Sequence, residues 1–100
     1  MKLLTKSIEK KLRANSAAQD GTKSFNAVLK LFNPTGIGTW YLSELDEFDN
    51  FYGVCDLGYA ELGYVSLDEL QSFKGVMGLG IERDAWFDSN KYPLNEFLNK

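Results

Sequence analysis

The segment from Glu61 to Phe87 constrains the fold of this chain most, because three kinds of backbone signal follow one another in it without filler. A strand-like run ends at Ser66–Glu69, SLDE, a capping box in which the serine hydroxyl accepts from a backbone amide three residues on. The pattern predicts a helix from Leu67 to Phe73, which Gly75 closes in a left-handed conformation. A glycine-rich turn then leads into a further strand, Ile81–Phe87. Strand, helix and strand within one short segment predict a mixed α and β fold.

The N-terminal third predicts a helix followed by a loop. Leu4, Ile8 and Leu12 recur every four residues, which is the spacing of one helix face. A threonine precedes them at position 5 and can cap the first turn. We therefore predict an amphipathic helix over Thr5–Ala14 and a polar loop over Asn15–Ser24.

The middle of the chain predicts a meander of short strands. Alternation of apolar and polar residues and flanking turn residues indicate four of them, over Phe25–Phe32, Thr39–Leu45, Phe51–Leu57 and Glu61–Val65. In the first, Phe25, Ala27, Leu29 and Leu31 are expected on one face. The polar stretch Asp46–Asn50 suits a hairpin loop, and a proline at position 93 opens a last helical turn.

These elements together predict one α+β domain. It has a mainly antiparallel sheet of four or five strands, an N-terminal helix, an inserted helix and a short C-terminal helix. The length of 100 residues and the hydrophobic content of 44% fit a single core.

Composition excludes several classes of chemistry. The sequence has no histidine and one cysteine, Cys55, so serine–histidine and cysteine–histidine nucleophile systems and zinc sites lack their side chains. No leader segment and no apolar run long enough to cross a bilayer is evident, which predicts a soluble cytoplasmic protein that does not bind a membrane. Cys55 lies in an apolar strand and is expected to be a buried, inert thiol.

Charge is divided unevenly along the chain. Residues 1–33 carry a local charge of +5 and residues 34–100 a local charge of −8, which together give the net charge of −3. Between Lys30 and Lys74 there are eight acidic residues and no basic one. Such a surface repels a nucleic-acid backbone and attracts a basic protein. A solvated acidic face that only maintains solubility is the simpler interpretation of the same pattern.

A protein-interaction surface is the preferred function, and binding is preferred over catalysis. Acidic and aromatic residues in the predicted sheet are candidates to contact a basic partner protein; they are Tyr41, Glu44, Asp46, Tyr64 and Trp86. Packing in the core is the alternative role for the aromatic ones, because a domain this small needs most of its aromatics for stability.

A first alternative is a metal-dependent nuclease or another nucleic-acid-processing enzyme. Without histidine, catalysis would depend on carboxylates that hold Mg²⁺ or Mn²⁺, and the candidates are Asp56, Glu61, Glu82 and Asp84. No cofactor is expected outside this alternative. Glu82 and Asp84 would share one face of their strand, and ion pairing with lysine or arginine is the structural explanation for them.

A second alternative is nucleic-acid binding through the basic N-terminal helix. Its predicted outer face carries Lys6, Lys10, Lys11 and Arg13, which could contact phosphates. The acidic remainder of the chain makes this a less favoured interpretation than a protein partner.

Five motifs make the chain resemble a bacterial family of unknown function, DUF2958. They are LLT (Leu3–Thr5), TWY (Thr39–Tyr41), ELGYVSLDEL (Glu61–Leu70), GLGIERD (Gly78–Asp84) and PLNE (Pro93–Glu96). The resemblance spans nearly the whole chain. It implies a small accessory protein of mobile genetic elements, such as plasmids, phages and integrative elements, and it supplies neither a reaction nor an active site.

Overall fold

A computed structural model describes residues 3–89 and 91–98 of the chain. The elements, in chain order, are α1 (Lys6–Ala18), β1 (Leu29–Phe32), β2 (Thr39–Leu45), β3 (Asn50–Asp56), β4 (Ala60–Ser66), α2 (Leu67–Ser72) and β5 (Glu82–Arg83), with 3₁₀ turns at Val76–Gly78 and Leu94–Phe97. The strands form one antiparallel sheet in the order β4-β3-β2-β1-β5. The predicted α+β fold is confirmed. None of the described helices is long and apolar enough to span a membrane.

The sheet is covered on both sides, but by different parts of the chain. On the side that we call the helical face, Leu12 of α1 and Leu70 of α2 are buried against sheet residues such as Leu42 and Phe51. On the opposite side, the C-terminal face, Val54 of β3 packs with Leu94 of the last turn. The larger buried cluster lies on the helical face, so that side provides most of the core.

α1 begins where the sequence predicts and ends later. The Thr5 hydroxyl accepts from the Ile8 amide at 3.1 Å, as expected of a cap. The helix continues to Ala18, four residues past the predicted end. Asn15 is buried there, and its Nδ2 donates to the Ser43 carbonyl at 2.9 Å. A tertiary hydrogen bond therefore keeps a polar residue in the helix, which the local sequence does not reveal.

A bulge in β2 determines which side chains reach the C-terminal face. The register with β3 shifts between Leu42 and Glu44, so that Leu42 lies opposite Gly53 while Glu44 lies opposite Tyr52. Adjacent residues of β3 point to opposite faces, and the two β2 residues therefore do so as well. Glu44 is placed on the C-terminal face.

The first predicted strand is shorter than expected, and its face assignment is wrong at one point. β1 starts at Leu29, and the Val28 amide donates to the carbonyl of Leu42, the residue that lies opposite Leu29. Val28 and Leu29 are thus both paired with Leu42, which interrupts the alternation of side chains between the two faces of the strand. Val28 joins the core of the helical face and Ala27 the cluster of the C-terminal face, the reverse of the prediction.

Two boundaries near the second half also need correction. The strand predicted over Ile81–Phe87 contains only Glu82 and Arg83, because the chain turns at Asp84, whose Oδ1 accepts from the Trp86 amide at 2.9 Å. The Ser66 cap of α2 is confirmed by its bond from the Glu69 amide at 3.3 Å. The helix closes at Phe73 in an extended conformation, however, and Gly75 has φ −92°, so the predicted left-handed end is wrong.

Candidate protein-binding surface

The hairpin between β2 and β3 is shaped by one carboxylate. Asp46 Oδ1 accepts from the amides of Phe48 and Asn50, each at 2.9 Å, and Asp49 takes a positive φ of 60°. These two hydrogen bonds hold the turn closed, so Asp46 Oδ1 has a structural role as an acceptor. Phe48 is left 76% exposed beside an exposed Glu47. A large apolar side chain at such a position contributes little to the core.

α2 starts directly beside this turn. The Leu67 amide donates to the Asp49 carbonyl at 2.9 Å, which brings the first turn of α2 against the hairpin. Asp68 and Glu69 in that first turn are exposed. We call the resulting surface the acidic end; its residues are Asp46, Glu47, Phe48, Asp49, Asp68 and Glu69.

Arg13 of α1 ties the helix to the acidic end. Its Nη2 lies 2.7 Å from Asp49 Oδ1, its Nη1 donates to the Asp46 carbonyl at 2.8 Å, and its Nε lies 2.8 Å from Glu9 Oε2. The hydrogen bonds to Asp49 and Glu9 raise the pKa of Arg13 further above its ordinary value. Arg13 therefore offsets the charge of Asp49, and the other four acidic residues of the acidic end are in no described ion pair.

A groove of about 600 Å³ separates α1 from the hairpin. Ala17 and Leu45 are its apolar lining, Phe48, Asp46 and Glu47 line the hairpin side, and Arg13 lines it with its charge already paired to Glu9 and Asp49. A lysine or arginine side chain combines an alkyl stem with a charged head. The hairpin side of the groove carries an aromatic ring and two carboxylates, which can contact the stem and the head of such a side chain.

The five residues predicted to bind a partner do not form one surface. Tyr41 is stacked on Phe97 with ring centroids 3.8 Å apart, and it is half-buried. Glu44 is buried, and its Oε2 accepts from Gln19 Nε2 at 2.9 Å. Of the five, only Asp46 belongs to the acidic end.

The two exposed aromatics of that set lie far apart. Tyr64 is 73% exposed on β4, and Trp86 is 94% exposed in the loop after β5. These strands occupy opposite edges of the sheet, four strand spacings or about 19 Å from each other. A single aromatic patch that includes both is not formed.

A smaller cavity of about 220 Å³ lies on the C-terminal face between β3, β4 and the last turn. Glu44, Tyr52 and Leu62 line it together with Lys23. Burial, followed by the nearby Tyr64 and Glu44, raises the pKa of Tyr52, so its phenol stays protonated over the neutral range. Each of the two cavities is lined by one basic residue, Lys23 here and Arg13 in the groove at the acidic end. The groove is the larger of the two and therefore has more room for a side chain of a partner.

The four carboxylates of the metal hypothesis are divided between two edges of the sheet. Asp56 and Glu61 lie at the β3–β4 side, where Asp56 Oδ1 accepts from the Gly58 amide at 3.2 Å. Glu82 and Asp84 lie at the β5 side, and Asp84 Oδ2 is 3.6 Å from Lys30 Nζ. Within the described ranges, no three acidic or thiol side chains are grouped as metal ligands would be. The ion pair of Asp84 is formed with β1.

The cations of the nucleic-acid hypothesis are also divided. Lys6, Lys10 and Lys11 are exposed on α1, whereas Arg13 is held by its ion pairs. Three lysines therefore remain on the outer surface of the helix, and the fourth predicted contact has a structural role.

Cys55 is half-buried and not fully buried as predicted. Glu61 lies opposite it, which gives a testable electrostatic effect. Burial, and after it the charge of Glu61, raises the pKa of Cys55, so little thiolate exists at pH 8. We expect Glu61→Gln to lower the pKa of Cys55 and to speed its alkylation by iodoacetamide at pH 8. At a pH well above the pKa both proteins carry the thiolate, and their rates should converge. Equal rates at pH 8 would contradict the assignment.

The sequence-based prediction missed Glu47, Phe48 and Asp49 as binding candidates. They fall in the predicted loop Asp46–Asn50, and an aromatic residue between acidic residues at a hairpin tip was the signal available. Their contact with α2 depends on the hydrogen bond from the Leu67 amide to the Asp49 carbonyl. These two residues are far apart in the sequence, so local pattern does not predict the contact.

The sequence matches the family described as "Protein of unknown function (DUF2958)" over residues 3–100. The chain therefore belongs to this family, as the five motifs suggested. Neither a curated protein nor a solved structure matches it.

Proposed function

We propose that this protein is a small, non-catalytic accessory protein of bacterial mobile genetic elements that binds a basic partner protein in the cytoplasm through its acidic end. The observation that supports this most is the exposed Phe48 beside a groove whose rim is acidic. The mobile-element setting is the one that the family resemblance implies.

Electrostatics favour a basic protein at this surface. Two segments that are separate in sequence, the hairpin and the start of α2, add their carboxylates at one end of the sheet. A cluster of one charge sign accelerates encounters with an oppositely charged partner and repels a phosphate backbone. The acidic end therefore selects against nucleic acid and in favour of lysine-rich or arginine-rich protein surfaces.

Phe48 supplies the apolar part of the contact. Aromatic side chains dominate binding energy when a partner covers them, because they bury a large area at a small cost in side-chain entropy. Glu47 is next to it and can pair with the head of a cation whose stem lies on the ring. This arrangement combines affinity from Phe48 with charge selectivity from the carboxylates.

The proposal predicts that a double variant, Glu47→Lys with Phe48→Ala, loses its partner. Tagged wild type and variant are used as baits in a lysate of a bacterial host, and captured proteins are quantified by mass spectrometry. We expect a basic protein that is captured by wild type, is reduced at least about tenfold with the variant and is released at high salt.

A matched control changes the charge and an exposed aromatic elsewhere. Glu61→Lys with Trp86→Ala alters one acid and one aromatic outside the acidic end and should leave capture unchanged. If the control loses the same protein, the acidic end is not the site. If capture depends instead on Lys6, Lys10 and Lys11, and nuclease treatment abolishes it, the protein binds nucleic acid through α1 and the proposal fails.

A further inference from the structure

We propose that β4 pairs with β4 of a second copy of this chain, in an antiparallel arrangement centred on Gly63. This surface is distinct from the acidic end, and the inference does not depend on the partner proposed above.

β4 is an edge strand with main-chain groups directed outward. The Leu67 amide bonds to the Asp49 carbonyl, and the next pair along the ladder is Asn50 with Ser66. Bonded and non-bonded pairs alternate in an antiparallel ladder, so residues 61, 63 and 65 bond to β3. The N–H and C=O groups of residues 60, 62 and 64 point away from the sheet, and no described strand pairs with them.

This edge lacks the features that normally prevent strand addition. β4 is seven residues long and runs in unbroken register with β3, without a bulge or proline. Its only charged residue is Glu61, and Leu62 and Tyr64 are 46% and 73% exposed. Proteins usually protect an edge by shortness, lysine, proline or a bulge. β5 at the opposite edge is protected in this way, because it has two residues and both are charged.

The chemistry of the strand matches a second copy better than a basic partner. A basic segment would find one carboxylate along seven residues, whereas an identical strand needs no complementary charge. Pairing centred on Gly63 places Tyr64 opposite Leu62 of the second copy, twice by symmetry. An aromatic side chain beside an aliphatic one is a stabilising cross-strand pair, and here both are otherwise exposed.

The same register also avoids repulsion and uses the whole strand. Glu61 lies opposite Val65 of the second copy, so the two carboxylates do not face each other. The outward N–H and C=O groups of residues 60, 62 and 64 would form hydrogen bonds with those of residues 66, 64 and 62 of the second copy, respectively. Gly63 meets itself on the symmetry axis, where the absence of a side chain allows close approach.

A cross-linking experiment tests both the pairing and its register. Cys55 is the only cysteine, so Cys55→Ala gives a background without thiols. In that background Gly63→Cys places two thiols directly opposite each other, and no atom of the described residues lies within 4 Å of the added Cβ in the monomer. We expect a disulfide-linked dimer on oxidation with copper phenanthroline, because a non-hydrogen-bonded pair brings the two Cα atoms to about 4.5 Å.

The matched control is Glu61→Cys in the same background. It is exposed on the same strand, but the pairing separates the two copies of residue 61 by four residues, about 14 Å, which a disulfide cannot bridge. We expect no disulfide-linked dimer from this variant under the same oxidation. Equal cross-linking of both variants would overturn the proposed register.

Sedimentation of the protein without engineered cysteines tests the pairing independently. A seven-residue strand pair is smaller than a standard interface of about 1,200–2,000 Å², so we expect a dimer that forms as protein concentration rises. The mass should increase from 11.3 kDa toward twice that value. Leu62→Lys should abolish the increase, and Trp86→Lys, which alters an exposed aromatic at the other edge, should not. A wild-type chain that stays monomeric at its solubility limit, together with no Gly63→Cys dimer, would overturn the proposal.

Discussion

Gly53→Ala is expected to destabilise the protein by at least about 3 kcal/mol, the largest effect of any methyl-sized change that we predict. A Cβ at this position would overlap the Tyr41 carbonyl oxygen and lie 2.8 Å from the Leu42 Cα. Both atoms belong to the backbone of β2, so neither can rotate away as a side-chain end would. Relief requires β2 and β3 to separate, which weakens the hydrogen bonds at the centre of the sheet.

Gly63→Ala provides the control for this change. Gly63 lies directly opposite Gly53 on β4, and in the part of the chain that the structure describes no atom lies within 4 Å of a Cβ built there. Its effect should stay within about 0.5 kcal/mol. Urea unfolding of both variants, followed by fluorescence of the buried Trp40, measures the difference. Equal midpoints would show that β2 and β3 do not pack as closely as described.

Phe51→Ala is expected to cost about 3–5 kcal/mol in the free energy of unfolding. Phe51 is fully buried on the helical face, within the cluster that includes Leu12 and Leu70. Its removal leaves a cavity between the sheet and both helices, and the surrounding side chains can fill it only in part. Urea unfolding reports the loss directly.

Phe48→Ala is the matched comparison, because it removes the same side chain three residues away. Phe48 is 76% exposed, and we expect a change within about 0.5 kcal/mol. The pair also separates stability from binding: Phe51→Ala should lower stability, whereas Phe48→Ala should lower capture of a partner without unfolding the protein. A large loss of stability in Phe48→Ala would mean that the ring packs in the core, and it would remove the anchor from the proposed function.

Short-range signals in the sequence were sufficient for most elements of the fold. The Ser66 cap, the Thr5 cap and β2 occur where local pattern predicts them, since a cap or a strand alternation depends on neighbouring residues alone. The hairpin at Asp46–Asn50 was predicted for the same reason. An antiparallel meander follows once short loops join consecutive strands.

Contacts between distant segments account for what the sequence could not predict. The last turn of α1 depends on the bond between Asn15 and Ser43, and the face reversal at Ala27 and Val28 depends on the pairing with Leu42. The candidate site follows the same rule. Its acidity was evident from the sequence, but the meeting of the hairpin with α2 depends on the Asp49–Leu67 bond and on Arg13.

The brevity of β5 limits how far molecules of this protein can assemble through their sheets. An open-ended polymer forms only if each subunit can pair through both edges of its sheet. Here the second edge, β5, offers only two residues. Once two copies have paired through β4, both outer edges of the dimer are β5 strands. Self-association would therefore stop at two molecules. The protein would not polymerise into fibres, although the β4 edge of the monomer is unprotected.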